Sequence, residues 1–121
     1  MPKPAIHAQL SVRKYGGYIE DYMPIHNFLD SSKAHVPDMR HRAMLHNSWG
    51  IYLAEMTLGD MFENSHRKLI STRDIAEEHI LQDMGFIPTV QDYLEGMPMY
   101  GWLGGRRGDK IKAEWKELMV D

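Results

Sequence analysis

Histidines placed among carboxylates and arginines are the residues of this chain best suited to chemistry. The sequence contains seven histidines and no cysteine. Imidazole titrates near neutral pH, binds metal ions in its neutral form and acts as an acid or a base. Because no thiol is present, neither a disulfide framework nor a thiolate zinc site can form. The composition therefore predicts either a polar site of imidazole and carboxylate or a structural polar network.

Two histidine–aspartate pairs have the spacing of one helical turn. His79 precedes Asp83 by four residues, and His26 precedes Asp30 by four. Side chains four residues apart lie on the same face of a helix, and helical zinc motifs use this spacing to bring two ligands together. His46 lies on the apolar face of a third predicted helix. The predicted metal ligands are therefore His26, Asp30, His46, His79 and Asp83.

An ion held by these ligands would give the chain hydrolytic chemistry. Nitrogen and oxygen ligands of this kind suit zinc, manganese, nickel or iron, and an ion with open positions activates water. Glu77 is the candidate base, so Glu77 and His79 are the candidate catalytic residues. The competing interpretation is a structural network in which arginines pair with carboxylates: Arg40, Arg42 and Arg73 with Asp30, Glu77 and Asp83.

Cationic side chains between the histidines indicate a different ligand, an anionic small molecule such as a nucleotide. Arginine and lysine bind phosphate groups through charge and hydrogen bonds, and histidines would orient the molecule. The residues predicted to bind it are Lys33, Arg40, Arg42, His46, Arg73 and His79. This binding function is the first hypothesis, and the metal-dependent hydrolase is the second. The third is a module that binds a host protein while its histidine network is structural.

Composition excludes several classes of protein. The net charge is −3 and charged residues make up 26% of the chain, so the basic surplus of a general nucleic-acid binder is missing. No apolar run reaches the roughly 20 residues of a membrane helix, and the N-terminal segment lacks the core of a signal peptide. With 43% hydrophobic residues there is enough apolar material for one core. We expect a single-domain cytoplasmic protein.

The elements that would position the candidate residues are mostly helices. Apolar residues at helical spacing, with cap residues such as Asp38 and Ser71, predict a compact bundle of five or six helices in one domain, residues 1–96. Two short apolar runs at about 61–70 predict at most a small β-hairpin. The predicted helices cover residues 4–14, 24–33, 39–58, 72–84 and 90–95, followed by a Gly/Pro-rich basic joint at 97–108 and an amphipathic helix at 109–121.

The long helix predicted for residues 39–58 limits which histidines can meet. His41 and His46 would differ by about 140° around one regular helix and would not reach the same ion. We therefore assign His41 to contact with another element or to solvent, and we expect His7 and His66 at the surface. Gly50 would let a neighbouring helix approach closely.

The C-terminal helix presents an apolar face that needs a partner. Ile111, Trp115 and Leu118 share that face, behind the glycine-rich joint. The helix would pack on its own domain or on a second subunit, since arms on flexible joints favour exchange between subunits. We expect a homo-oligomer formed through this helix, and a host protein is the alternative partner.

A set of spaced motifs runs along the chain between about Ile6 and Glu95. They are Asp21-Tyr22-x-Pro24-Ile25-His26, Lys33, Asp38-x-Arg40-His41-Arg42-Ala43, His46, Gly50, Arg73, Glu77-x-His79, Asp83-x-Gly85, Ile87-Pro88-Thr89 and Asp92-Tyr93-Leu94. Through these motifs the chain resembles a small family of uncharacterised proteins of phages and proteobacteria. Tryptophan is usual in that family where Tyr93 stands, and His35 is not a fixed member of the pattern. The resemblance implies no assigned reaction; it implies a mobile-element origin, in which small proteins neutralise host defence by binding or cleaving a nucleotide signal. It also implies that the segment from Met97 onward is particular to this protein and its near relatives.

Overall fold

Helices form most of the structure, a computed structural model that describes residues 3–105 and 113–118. The mainly helical fold with one small hairpin is confirmed. The α-helices are α1 (Pro4–Tyr15), α2 (Ile19–Leu29), α3 (Arg42–Leu45), α4 (Ser48–Leu58), α5 (Thr72–Met84), α6 (Val90–Leu94) and α7 (Ala113–Leu118). Short 3-10 turns cover Ser31–Ala34, Met39–His41 and Gly101–Gly104, and the two strands are β1 (Met61–Glu63) and β2 (Leu69–Ser71).

The apolar core lies where α2 packs against α1, α4 and α5. Burying these side chains removes apolar surface from water, which is the main favourable term in folding. The core also takes one residue from the hairpin, Ile70, which is 2% exposed. Its members are Ala8, Tyr22, Ile25, Leu29, Ile51, Ala54, Ile70, Ile75, Ala76 and Ile80.

The hairpin leads directly into α5. Its strands pair antiparallel, with Phe62 opposite Ile70, and the turn residue Arg67 adopts a left-handed φ of 62°. Ser71 ends β2 and caps α5, because its hydroxyl oxygen accepts a hydrogen bond from the backbone N–H of Asp74 at 3.3 Å. The predicted start of this helix and its end at Met84 are both confirmed.

The long helix predicted over residues 39–58 is wrong, because the chain breaks at His46 and Asn47. His46 has φ −84° and ψ 64°, outside the helical region, and Asn47 is extended. The Asn47 side chain accepts a hydrogen bond from the backbone N–H of Gly50 at 2.7 Å and so caps α4. A 3-10 turn, α3 and α4 therefore replace one continuous helix.

Gly50 is needed at this break for a different reason from the one predicted. An ideal Cβ on Gly50 would overlap the carbonyl oxygen of Leu45, which belongs to the preceding turn of the same chain. The close approach is therefore between α4 and the end of α3. No side chain fits there unless the backbone moves.

The second helix begins earlier than predicted. It starts at Ile19 instead of Pro24, because the Asp21 side chain accepts a hydrogen bond from the backbone N–H of Tyr18 at 2.8 Å and caps the new start. Pro24 lies inside the helix, where it removes one backbone donor. The helix ends at Leu29, so Lys33 lies in the following 3-10 turn.

The C-terminal predictions lie only partly within the described residues. Ile111 and the last three residues of the basic joint, 106–108, lie outside them. In α7, Trp115 is 48% exposed and Leu118 is 86% exposed. The homo-oligomer stays a prediction. Among the described residues, no helix has both the length and the apolar character needed to span a bilayer.

Replacing Gly50 by alanine is expected to lower the free energy of unfolding by about 3 kcal/mol, because the backbone around Leu45 must move to admit the methyl group. Urea unfolding followed by circular dichroism measures the effect. Gly96→Ala is the matched control, since nothing lies within 4 Å of its ideal Cβ. Equal stabilities for the two variants would contradict the close approach at Gly50.

Candidate metal centre

Five imidazoles and two carboxylates form one polar cluster inside the helical fold. Each of the five histidines is at most 1% exposed, and the Asp30 and Asp83 side chains are 6% and 3% exposed. Four segments contribute: α1, α2 with its C-cap, the Met39–His46 segment and α5. We call this group the histidine cluster: His7, His26, Asp30, His41, His46, His79 and Asp83.

Four members of the cluster bring ligand atoms to one point. One side-chain atom from each of Asp30, His46, His79 and Asp83 lies within 4.8 Å of the other three. His79 Nε2 is 3.3 Å from Asp30 Oδ1 and 3.3 Å from Asp83 Oδ2. His46 Nε2 is 2.8 Å from Asp83 Oδ2 and 3.6 Å from Asp30 Oδ1. The structure therefore unites four of the five predicted metal ligands.

Two features position His46: the break after α3, and a hydrogen bond from α6. Because His46 is the C-cap of α3, its ring leaves the helical path and reaches Asp83. Its backbone carbonyl accepts a hydrogen bond from the Tyr93 hydroxyl at 2.8 Å. Tyr93 on α6 thereby holds the backbone that carries one ligand.

His26, the fifth predicted ligand, does not face the carboxylates. Its Nδ1 lies 2.8 Å from His79 Nδ1, and its Nε2 lies 2.9 Å from Ser11 Oγ. Both ring nitrogens are therefore engaged by other groups, which leaves none for an ion. His26 therefore contacts His79 on the ring nitrogen that faces away from the carboxylates and is not a ligand itself.

His7, expected at the surface, is fully buried in the cluster. Its Nδ1 is 2.7 Å from Gln82 Oε1, its Nε2 is 3.1 Å from Asp83 Oδ1, and its ring stacks on His79 at 3.9 Å. The expectation fails because the buried side of α1 consists of two polar residues and an alanine, namely His7, Ser11 and Ala8. The spacing of His7 and Ser11, one turn apart beside an alanine, was the available signal.

His41 was also misplaced by sequence reasoning. Its ring is 5.9 Å from that of His46, and its Nε2 is 3.9 Å from Asp30 Oδ1. A separation of about 140° applies only to two residues of one regular helix, and the break interrupts that helix. Asn47, a strong N-cap residue directly after His46, is the sequence signal for the break. His41 Nδ1 donates to the Asp38 carbonyl oxygen at 2.8 Å, which leaves Nε2 directed at the carboxylate.

Two of the predicted cationic residues lie beside the cluster. Lys33 Nζ is 3.5 Å from Asp30 Oδ2, and Arg42 Nη2 is 3.7 Å from Asp83 Oδ1. One positive charge therefore adjoins each buried carboxylate.

Arg40, Arg73 and Glu77 do not reach the cluster. Arg40 pairs with Asp38 and its side chain is 86% exposed, while Arg73 pairs with Glu55. Glu77 lies about 200° around α5 from His79, on the side of Arg73. The six-residue anion pocket is therefore not assembled, and Glu77 is not placed to act as a base at this site.

Electrostatics within the cluster divide the histidines into two kinds. Burial, together with the neighbouring histidines, lowers the pKa of His26 to about 3. Burial also lowers the pKa of His46, against the opposing effect of Asp83. For His79, burial is outweighed by hydrogen bonds to Asp30 and Asp83, and its pKa is raised. Of the three histidines with shifted pKa values, His79 is thus the one whose protonated form the carboxylates favour.

The carboxylates stay ionised. Burial by itself would raise both carboxyl pKa values, but hydrogen bonds from histidines hold the pKa of Asp83 far below its usual range. His79, with help from Lys33, lowers the pKa of Asp30. Two negative charges therefore persist in the interior, and the site attracts cations.

Several polar atoms of the cluster lack hydrogen-bond partners among the described residues. They include one oxygen of each aspartate, Asp30 Oδ2 and Asp83 Oδ1, with His7 Nε2 and His46 Nδ1. A buried polar atom left unsatisfied costs about 1–3 kcal/mol. The two aspartate oxygens are met by ion pairs instead, Asp30 Oδ2 with Lys33 and Asp83 Oδ1 with His7 and Arg42.

The fold and site can be set against known families. A family model described as a domain of unknown function, DUF6915, matches residues 2–103. The chain belongs to the DUF6915 family. The match contains every residue of the histidine cluster and runs to Leu103, so the segment from Met97 to Leu103 lies within the family span and is not particular to this protein. No curated protein and no solved structure matches the DUF6915 chain.

Acid is expected to destabilise this DUF6915 protein over a definite pH range. His26 has a folded pKa of about 3 and an unfolded pKa of about 6.5. Between these values the unfolded chain binds more protons, so stability falls as the pH falls, by about 2 kcal/mol at pH 4.5. The lowered carboxyl pKa values add to this loss below about pH 4. The raised pKa of His79 acts oppositely, and its stabilisation is lost as the pH rises through that value.

Urea unfolding at pH 7 and at pH 4.5 measures the acid effect. His26→Asn should show a smaller difference between the two pH values than the unaltered protein. His66→Asn is the control, because His66 lies outside the cluster. Equal stability at both pH values would contradict a buried neutral His26.

Proposed function

We propose that this DUF6915 protein binds a divalent transition-metal ion through Asp30, His46, His79 and Asp83 and uses it in hydrolysis. The observation that supports this most directly is the convergence of two imidazole nitrogens and two carboxylate oxygens within 4.8 Å. All four residues are held by helices or helix ends, which fixes their separation. The proposal favours the second of the sequence hypotheses over the first.

The charge of the site supports a cation over an anion. Two ionised carboxylates cost several kcal/mol each to bury unless they are compensated, and a divalent ion would neutralise both. Manganese, iron, nickel and zinc accept mixed imidazole and carboxylate ligands. Four protein ligands leave positions for water or substrate on an ion that prefers six. Bound water on such an ion is a nucleophile near neutral pH.

The flanking cations support an anionic substrate. Lys33 lies against Asp30 and Arg42 against Asp83, so both positive charges adjoin the ion position. These charges would hold an anionic group, such as a phosphate ester, next to the ion. A nucleotide belongs to this class, and it is also the ligand class that the resemblance to phage proteins implies.

His41 replaces Glu77 as the candidate base. Its Nδ1 donates to a backbone carbonyl, so its neutral form has the lone pair on Nε2, 3.9 Å from Asp30 Oδ1. This lone pair faces the same carboxylate that would hold the ion. If an ion were bound there, His41 would be the residue to accept a proton from its water, as general-base catalysis requires.

Metal analysis of protein made without a histidine tag tests the binding step. We expect about one ion per chain after loading with manganese, zinc, nickel or iron, and a rise of several degrees in the thermal midpoint from linkage. Asp30→Asn and Asp83→Asn should abolish both effects. Asp38→Asn is the matched control, because Asp38 pairs with exposed Arg40. Absence of a stoichiometric ion together with an unchanged midpoint would rule out the metal centre.

The hydrolytic step is tested with aryl phosphate mono- and diesters on the metal-loaded protein. Lys33→Ala is expected to lower kcat/KM about tenfold without changing the metal content, since loss of a charge-assisted contact costs on the order of 1.4 kcal/mol. Lys14→Ala is the control, because Lys14 pairs with Glu78 away from the cluster. Loaded protein that cleaves neither ester class would contradict this substrate assignment and leave metal binding standing.

A further inference from the structure

His79 stands between the candidate metal position and a chain of hydrogen bonds that runs to the backbone of α1. Its Nε2 faces the two carboxylates, and its Nδ1 is 2.8 Å from His26 Nδ1. The chain continues from His26 Nε2 to Ser11 Oγ at 2.9 Å. It ends where the Ser11 hydroxyl donates to the His7 carbonyl oxygen at 3.1 Å.

The last hydrogen bond of this series, from Ser11 to the His7 carbonyl, sets the direction of the other hydrogen bonds. A serine hydroxyl has one proton, and that of Ser11 is given to a carbonyl oxygen, which can only accept. Ser11 Oγ must then accept from His26 Nε2–H. His26 in its neutral form keeps its lone pair on Nδ1, and this nitrogen accepts from His79 Nδ1–H. His79 is left with Nε2 free to bind an ion.

We infer that Ser11 and His26 are positioning residues that hold His79 in the tautomer that binds metal through Nε2. The inference rests on the proposed metal centre and extends it by two residues that do not touch the ion. Metal-binding histidines in general donate their other ring N–H to a fixed acceptor, and loss of such an acceptor typically costs 10–100-fold in metal affinity. In this protein the acceptor is a second histidine, itself oriented by a serine.

The opposite arrangement shows what Ser11 prevents. If Ser11 donated to His26 Nε2, His26 would donate from Nδ1 to His79, and the neutral His79 would carry its proton on Nε2. That proton would occupy the ion position between Asp30 and Asp83. The bond from Ser11 to the His7 carbonyl selects against this arrangement.

Ser11→Ala tests the direction of the chain with a small change of volume. Without an acceptor at Ser11, a buried His26 Nε2–H has no partner, so His26 is expected to move its proton to Nδ1. We expect manganese or zinc affinity to fall at least tenfold. Ser31→Ala is the matched control, because Ser31 is an exposed serine in the 3-10 turn after α2 that also donates to a backbone carbonyl. Unchanged affinity in Ser11→Ala would overturn the inference.

Two substitutions of His26 separate positioning from packing. The amide oxygen introduced by His26→Asn can accept from His79 where His26 Nδ1 does, so this variant should keep the metal affinity within about threefold. His26→Leu offers no acceptor and should lose at least tenfold, the lower end for such acceptors. Equal losses in both variants would show that His26 acts through packing alone, and would overturn the inference.

Nitrogen-15 NMR of the imidazoles reads the tautomers directly, with or without metal. We expect His26 to be neutral and protonated on Nε2 in the metal-free protein, and a proton on Nδ1 would overturn the inference. If the unaltered protein binds no metal, the proposed function fails while this measurement still decides the tautomer. If it binds metal and His26 is protonated on Nδ1, the inference fails while the metal centre stands.

Discussion

Two ionised carboxylates in the interior impose the main constraint on this fold. Asp30 and Asp83 are almost completely buried, and an isolated carboxylate is far too costly to remove from water. Each must therefore be met by donors or positive charge from nearby segments. His7, His46 and His79 supply most of this compensation, with Lys33 and Arg42 at the edge. The helices pack as they do in part because they bring these groups together.

Helices usually bury their apolar face and expose their polar face. The need to compensate Asp30 and Asp83 changes this pattern in α1 and breaks the helix predicted over residues 39–58. In α1 the side chains of Ile6 and Leu10 are 44% and 37% exposed, while His7 and Ser11 are buried. The helix turns a polar face inward because that face satisfies the cluster. The break at Asn47 also serves the cluster, because it lets both His41 and His46 approach Asp30. A straight helix would carry only one of them there.

Local spacing predicted what lies within one helix. The pair His79–Asp83 was found because residues one turn apart share a face, and the cap at Ser71 was found from side-chain chemistry. The same spacing failed for His26 and Asp30, because both nitrogens of His26 contact other groups. The neighbours across helices were harder to predict. His7 was expected at the surface because periodicity cannot register that another segment offers a buried carboxylate. Arg40 was assigned to the site by its position between histidines, yet Asp38, two residues away, already pairs with it.

The structural network and the proposed metal centre would use the same charged groups. Hydrogen bonds to Asp30 and Asp83 raise the pKa of His79 and so favour a proton on the nitrogen that faces both carboxylates. An ion bound at the proposed site would replace such a proton and would compensate the charges of Asp30 and Asp83. His26 remains neutral in both states, because its pKa of about 3 lies far below neutral pH. His26 Nδ1 can therefore accept a hydrogen bond from His79 Nδ1–H with or without an ion. The two carboxylates that favour a proton on His79 would therefore also favour a divalent cation in its place.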